Sequence, residues 1–136
     1  MATIELAENI VRVLAKGPKV CAVVDSDRKF TEPFAKVLNN LGFEVFVFNN
    51  STEFVTQSEE YRFDIVVIAW DVQPISGMQV VEKIRNAGVP YPAIVIACDV
   101  GESVSFQLAI SPVGFLFKPF EAGQLMQILS KSIGDN

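Results

Sequence analysis

The sequence predicts a single α/β domain in which helices cover both faces of a parallel, doubly wound sheet. Five short apolar runs alternate with segments in which apolar residues recur at helical spacing. Four of these runs are apolar on both faces, which is typical of strands that lie between two layers of helices. The length of 136 residues is sufficient for one domain with its own core.

An additional amphipathic helix is predicted within residues 1–18, ahead of the first strand. Its apolar stripe is formed by Ile4, Ala7, Ile10, Val11 and Leu14. The segment Lys16-Gly17-Pro18 should end this helix, because proline cannot continue it. The helix is expected either to cap the surface of its own domain or to bind a second copy or a partner helix. Residues 19–136 form the predicted main domain.

The elements of the main domain follow in order from its apolar pattern. The predicted strands are residues 20–24, 43–48, 64–68, 93–97 and 113–117. Four sets of residues recur at helical spacing between and after these strands and predict one helix each: Val37, Leu38 and Leu41; Phe54, Val55 and Tyr61; Val80, Val81 and Ile84; Leu125, Ile128 and Leu129. Helix caps are predicted at Thr31, Ser51 and Ser76, and helix ends at Gly42 and Gly88.

The composition excludes several classes of function. The sequence contains no histidine, which excludes histidine-based acid–base catalysis and histidine-ligated metal sites in this chain. It also lacks a glycine-rich phosphate loop and a CxxC pair, so we expect neither an enzyme nor a bound cofactor. A net charge of −5 without a basic cluster argues against nucleic acid and against an anionic membrane as partner.

The cysteines and the lengths of the apolar runs point to a cytoplasmic protein. Cys21 and Cys98 lie in predicted strands and should be buried thiols, as is usual in a reducing compartment. The longest apolar runs, such as Ile65–Trp70, are too short to cross a bilayer. The sequence also shows no positively charged start followed by an apolar stretch and a small-residue cleavage site, so we do not expect a secretory signal.

The working site of an open parallel sheet lies beyond the carboxyl ends of its strands. Here these ends carry Asp25-Ser26-Asp27, Ala69-Trp70-Asp71, Ala97-Cys98 and Lys118-Pro119-Phe120. Because Thr31 is followed by Pro33, the first helix of the main domain is predicted to begin late, with Thr31 as its cap. Residues 26–30 would then form a loop that brings Arg28 and Lys29 near the site.

These strand ends resemble those of the response regulator receiver domain of bacterial two-component signalling, from residue 19 to about residue 133. The motifs are Val23-Val24-Asp25, Leu41-Gly42-Phe43-Glu44-Val45, residues 64–68, Gly77 with Ile84-Arg85, and Lys118-Pro119-Phe120. The usual spacing fits from Asp25 to Arg85 without a gap. The resemblance implies the strand order 2-1-3-4-5, which flavodoxin-like folds share.

The resemblance also implies a chemistry that this sequence lacks in part. Receiver domains move a phosphoryl group onto an aspartate after the third strand, with Mg²⁺ held by an acidic pair, a lysine and a switch hydroxyl. Asp25 matches the first acid, Lys118 the lysine and Phe115 the switch aromatic. The second acid is replaced by Ser26, the phosphoacceptor position falls on Ala69, and the switch hydroxyl position falls on Ala97. These matches imply a pseudo-receiver without catalytic residues or metal, which acts through protein contacts.

Two alternatives remain open beside the pseudo-receiver. Asp71 would be the phosphoacceptor if the chain were shifted, although Ala69 fits the spacing to both flanking motifs without a gap. A flavodoxin-like ligand binder would share the fold, although residues 26–29 are acidic and glycine-free, unlike a flavin phosphate loop.

In the pseudo-receiver, Lys118 should pair with Asp25 or Asp71 across a remnant pocket that includes Ser26, and the Lys118–Pro119 peptide bond should be cis.

The segment from residue 103 to 130 is the predicted partner-binding face. Lys118 and Glu121 are its only charged residues, and depletion of charge is typical of the centre of an interface. The candidate contact residues are Val104, Phe106, Phe117 and Met126. The partner is expected to be a signalling protein or a second copy of the chain, since the family uses the same region as an output surface.

Overall fold

The computed structural model describes residues 3–15, 17, 19–87, 93–99 and 114–132. In these ranges the strands are β1 (Val20–Val24), β2 (Glu44–Phe48), β3 (Ile65–Ala69), β4 (Ala93–Asp99) and β5 (Gly114–Lys118). The helices are α1 (Thr3–Val13), α2 (Arg28–Asn40), α3 (Ser51–Glu60), α4 (Gly77–Asn86) and α5 (Ala122–Ser132). None of these helices combines the length and the apolar character of a membrane span.

All five strands are parallel and pair in the order β2-β1-β3-β4-β5. The predicted architecture is therefore confirmed, including the helix that precedes the first strand. Each predicted strand lies within two residues of the observed bounds, because parallel strands covered on both faces leave an uninterrupted apolar run in the sequence. Strands β2 and β5 form the two edges of the sheet.

The sheet separates two apolar cores. Alternate residues of β1 point to opposite sides, with Cys21 and Val23 in one core and Ala22 and Val24 in the other. The first core also takes side chains from α1, α2 and α5. The second takes side chains from α3 and α4. The carboxyl edge of the sheet is thus held from both sides, which gives the residues at the strand ends a fixed geometry.

Helix α1 has two apolar faces, where the sequence pattern predicts one stripe. Val13 is buried in the first core, and three further residues of this segment pack against that core: Leu6, Ile10 and Leu14. In contrast, Ile4, Ala7 and Val11 are exposed on the outward face of α1. The prediction of a single stripe that joins Ile4 to Leu14 was therefore wrong. The helix does cap its own domain, because α1 packs along α5.

Helix α2 begins earlier than predicted, so the expected Thr31 cap and the long loop before it were wrong. Asp27 is the N-cap, with an extended backbone and a side-chain oxygen that accepts the Lys29 N–H at 3.0 Å. Arg28 and Lys29 consequently lie exposed in the first turn of the helix. Thr31 is buried, and Pro33 lies inside α2.

The other helix ends agree with the sequence more closely. Ser76 caps α4 in a reciprocal capping box with Gln79, as its position predicts. Gly42 follows the C-cap of α2 with a φ of +107°, a conformation that glycine adopts without strain. The cap of α3 is Asn50 and not Ser51, whose buried hydroxyl donates to the Ile75 carbonyl oxygen instead. The predicted helix end at Gly88 lies outside the described residues.

Met126 is fully buried, so its predicted position on an outward face of α5 was wrong. It lies beside the stripe formed by Leu125 and Leu129, and both Met126 and Ser130, one turn later, are buried. Such a wide buried face is expected for a helix that is covered by the sheet and by a second helix. Helix α1 is that second helix. The sequence pattern of α5 alone did not show this covering.

Candidate functional site

The carboxyl edge of the sheet brings together the strand ends that the sequence singles out. Asp25 follows β1, Ala69 ends β3 and Lys118 ends β5. Ala69 is paired in register with Ala97 on the neighbouring strand β4. Strand β4 continues two residues beyond Ala97, to Asp99, which is paired with Lys118. The predicted pocket residues thus come from four adjacent strands.

Asp25 and Lys118 form the charged centre of this pocket. The Lys118 Nζ lies 2.5 Å from Asp25 Oδ2, and the two side chains, Lys118 and Asp25, are only 15% and 5% exposed. The other carboxylate oxygen, Asp25 Oδ1, accepts the Asp27 N–H at 3.0 Å. The predicted ion pair is therefore confirmed, with Asp25 as the partner, and the Lys118–Pro119 peptide bond is cis as predicted. Both oxygens of the buried carboxylate have a donor.

An aromatic cluster packs beside the ammonium group. The Lys118 Nζ lies 4.5 Å from the centroid of the Phe30 ring, within the range of a cation–π interaction. Phe30 stacks on Phe34 with centroids 5.1 Å apart, and both rings contact Phe120. Phe30 is in the first turn of α2, so the early start of that helix places the ring at the pocket. The sequence pattern did not point to this residue.

Asn49 connects the pocket to the strand end beside it. Its Nδ2 donates to the Asp25 carbonyl oxygen at 2.8 Å and to Thr31 Oγ1 at 3.2 Å. These bonds tie the end of β2 to the end of β1 and to α2. Asn49 was not predicted either, although it is a polar residue directly after a parallel strand, which is the signal that identified Asp25.

At the two positions where receiver domains carry the phosphoacceptor aspartate and the switch hydroxyl, this chain has only methyl side chains. Ala69 and Ala97 are both buried, and neither side chain has an oxygen. Trp70, the residue after Ala69, donates its N–H to the Ala97 carbonyl oxygen at 2.8 Å. Its own carbonyl oxygen accepts the Gly77 N–H at 3.2 Å, which closes the connection between β3 and α4.

Asp71, Arg28 and Lys29 do not form part of the buried centre. All three are exposed, Asp71 in the turn after β3 and the two cations on α2. Ser26 is also exposed, and its hydroxyl oxygen accepts the Gln73 N–H at 3.1 Å. Phe115, the switch aromatic position, is half-buried and packs against the second core.

The polar groups of the pocket do not fit the magnesium ion that the family implies. Mg²⁺ requires several oxygen ligands in octahedral geometry, usually with one or two carboxylates. Asp25 supplies one carboxylate, and both of its oxygens already accept hydrogen bonds. Within the described part of the chain, no group of three histidine, cysteine, aspartate or glutamate residues is arranged to hold a metal ion.

Both cysteines are buried thiols. Burial raises the pKa of the Cys21 thiol to about 12, so the thiolate is not formed near neutral pH. Cys21 and Cys98 lie in the strands β1 and β4, as predicted. Cys21 therefore acts as a small apolar residue of the core.

Comparisons with known proteins agree with this geometry. Residues 21–130 match the family described as response regulator receiver domain. A comparison with curated proteins gave no match.

Similar solved structures share the fold. A receiver domain protein from Methanospirillum hungatei JF-1 has a TM-score of 0.77 at 17% identity, covering 88% of this chain and 96% of that one. A receiver domain from Methylobacillus flagellatus has a TM-score of 0.75 at 19% identity, covering 85% and 98%. The N-terminal domain of a response regulator/sensory box/GGDEF three-domain protein from Carboxydothermus hydrogenoformans has a TM-score of 0.75 at 16% identity, covering 85% and 94%. At these identities the likeness concerns the fold alone.

Proposed function

Because this chain belongs to the response regulator receiver domain family, we propose that it is a pseudo-receiver, a signalling module that acts through protein contacts without accepting a phosphoryl group. One observation supports this proposal above all others. At the end of β3, where the family places its phosphoacceptor aspartate, Ala69 carries a buried methyl group. A methyl group has no lone pair and cannot attack phosphorus.

The charges around Ala69 support the same proposal. In an active receiver the lysine serves to neutralise the phosphoryl group. Here the Lys118 ammonium is in contact with the Asp25 carboxylate. The pair is balanced in charge and largely shielded from water, so the pocket offers no uncompensated cation to an incoming phosphate.

Phosphorylation provides the direct test. After incubation with acetyl phosphate and Mg²⁺, the intact mass of the protein should show no acid-labile phosphoryl adduct. An active receiver domain that accepts phosphate from acetyl phosphate serves as the positive control in the same experiment. An adduct on this chain would contradict the proposal.

The alternative acceptor, Asp71, has its own control. Asp71 is exposed in the turn beyond β3, whereas Ala69 is the last residue of that strand. If wild type forms an adduct that the Asp71→Asn variant loses, the chain is an active receiver with a displaced acceptor. The third hypothesis, a flavodoxin-like ligand binder, is not favoured by the family assignment.

The partner-binding face is proposed around strand β5 and helix α5. Phe117 on the edge strand β5 is 48% exposed, and Gln124 and Gln127 are exposed, uncharged residues of α5. Aromatic side chains are enriched, and charged side chains are depleted, at the centre of protein–protein interfaces. Val104 and Phe106, the other candidates, lie outside the described residues.

We expect the Phe117→Ser variant to lose a bound signalling protein that wild type retains. The matched control is Phe46→Ser, because Phe46 is 44% exposed on the opposite edge strand, β2. Both immobilised variants are incubated with a lysate of cells that make the protein, and bound proteins are compared by mass spectrometry. If Phe46→Ser loses the partner and Phe117→Ser keeps it, the proposed face is wrong.

A further inference from the structure

Helix α1 presents an apolar surface that its own domain does not cover. The inner face of the helix packs on the first core through Val13 and its neighbours. On the outer face, Ile4 is 76% exposed and Val11 is 69% exposed. These two are the most exposed large apolar side chains among the residues that the structure describes. They belong to a shallow, largely apolar surface lined by Ile4, Ala7, Glu8, Val11, Arg12 and Ala15.

Two copies of this face fit each other when their helices run antiparallel. A two-fold axis that crosses the helix between residues 9 and 10 would place Ile4 against Ala15 of a second copy. Val11 would lie on the same flank of the contact as Ala7 of that copy, offset along the helices by about 1.5 Å, the rise of one residue. Each large side chain then meets a small one, so the two helices can approach closely and leave little empty space.

The charges on the flank follow the same symmetry. Glu8 and Arg12 are both exposed at the margin of the apolar surface. In the antiparallel arrangement Glu8 of one copy lies on the same flank as Arg12 of the other, offset along the helices by about 1.5 Å, and the two-fold axis repeats this pair. A parallel arrangement would instead place Glu8 against Glu8 and Arg12 against Arg12, with repulsion at both positions.

We infer that α1 forms an antiparallel, two-fold symmetric contact with α1 of a second copy of this chain. Such an isologous contact closes at the dimer and leaves no surface for further growth. The α1 contact is separate from the Phe117 region, so the proposed partner-binding face of each copy would remain accessible in the dimer.

Because the contact is small, we expect the dimer to be weak. One short helix from each copy buries less surface than a standard protein–protein interface. The dimer should therefore be reversible, and its population should increase with protein concentration. Sedimentation equilibrium of the full chain over a range of concentrations measures this directly. A wild-type protein that remains monomeric up to about 1 mM would overturn the inference.

A substitution on the outer face gives the first specific test. Val11→Glu should raise the dissociation constant of the dimer by at least about tenfold, because it brings an unpaired carboxylate into an apolar contact. The matched control is Val37→Glu on α2, since Val37 is likewise exposed, at 45%. Both variants should remain folded by circular dichroism. Equal dissociation constants for the two variants would overturn the inference.

A charge exchange tests the antiparallel direction. In Glu8→Arg alone, the introduced guanidinium faces Arg12 of the second copy, so two cations meet. In Arg12→Glu alone, the introduced carboxylate faces Glu8 of the second copy, so two anions meet. Each variant should therefore be more monomeric than wild type. A mixture of the two variants brings opposite charges together within a mixed pair and should recover a heterodimer. If the mixture is as monomeric as either variant alone, the antiparallel contact is wrong.

Discussion

Replacing Lys118 by methionine should lower the free energy of unfolding by about 3 kcal/mol, because it leaves the Asp25 carboxylate buried without its cation. The side chain of Asp25 is only 5% exposed, and water cannot take the place of the lost ammonium without opening the pocket. Urea unfolding of the wild type and the variant at neutral pH gives the difference. The Phe30 ring loses its cation as well, which adds a smaller cost.

Two further variants separate the ion pair from general effects of removing a lysine. Lys36→Met changes the same residue type at an exposed position of α2 and should change stability little. Adding Asp25→Asn to Lys118→Met removes the uncompensated charge and should recover a large part of the loss. Equal stability of Lys118→Met and Lys36→Met would contradict the assigned role of the pair.

Gly77→Ala should also destabilise the protein, by about 2–3 kcal/mol, because the position has no room for a methyl group. A Cβ at Gly77 would lie 2.4 Å from the Ala69 carbonyl oxygen and 3.3 Å from the Trp70 Cα. Both are backbone atoms, and the Trp70 N–H anchors this segment to β4. The clash therefore has to be relieved by moving α4 or the end of β3, and not by rotating a side chain.

Gly123→Ala is the matched control for this substitution. Gly123 lies in the first turn of α5, and the nearest atom to an added Cβ there is the Leu6 Cδ1 at 4.0 Å. Since alanine favours a helix more than glycine does, this variant should be as stable as wild type or slightly more stable. Thermal unfolding of both variants provides the comparison, and a similar loss at the two positions would show that crowding at Gly77 is not the cause.

The sheet was predictable from sequence because its strands are covered on both faces. Runs such as residues 65–69 are apolar at every position, and helices of clear periodicity separate them. Strand β2 shows the limit of this reasoning, because it is an edge strand and leaves Phe46 and Val47 partly exposed. An apolar run therefore identified the strand but did not reveal its exposure.

Packing between distant segments was not predictable in the same way. The sequence of α5 does not show that α1 covers it, so Met126 was placed on the wrong side. The start of α2 was misplaced because both Asp27 and Thr31 are good capping residues and the sequence alone does not choose between them. Asp27 caps the helix, and Pro33 is accommodated inside it.

The charged centre of the site was predicted mainly through the resemblance. Asp25 and Lys118 are 93 residues apart, and only the expected strand order brought them to one edge. The groups around them, Phe30 and Asn49, were missed because their roles depend on where α2 begins and on which side chains face the pocket. Such details follow from the packing of distant segments and leave no local pattern in the sequence.

The hydrogen bonds of Trp70 have a practical consequence. Trp70 is the single tryptophan of the sequence, and its backbone joins the end of β3 to both β4 and α4. Indole emission depends on the polarity and rigidity around the ring. Trp70 is half-buried and directly follows Ala69 in the chain. The tryptophan fluorescence of the protein therefore comes from one known position beside the pocket. Binding or unfolding events at that end of the sheet can be followed optically, without attaching a label.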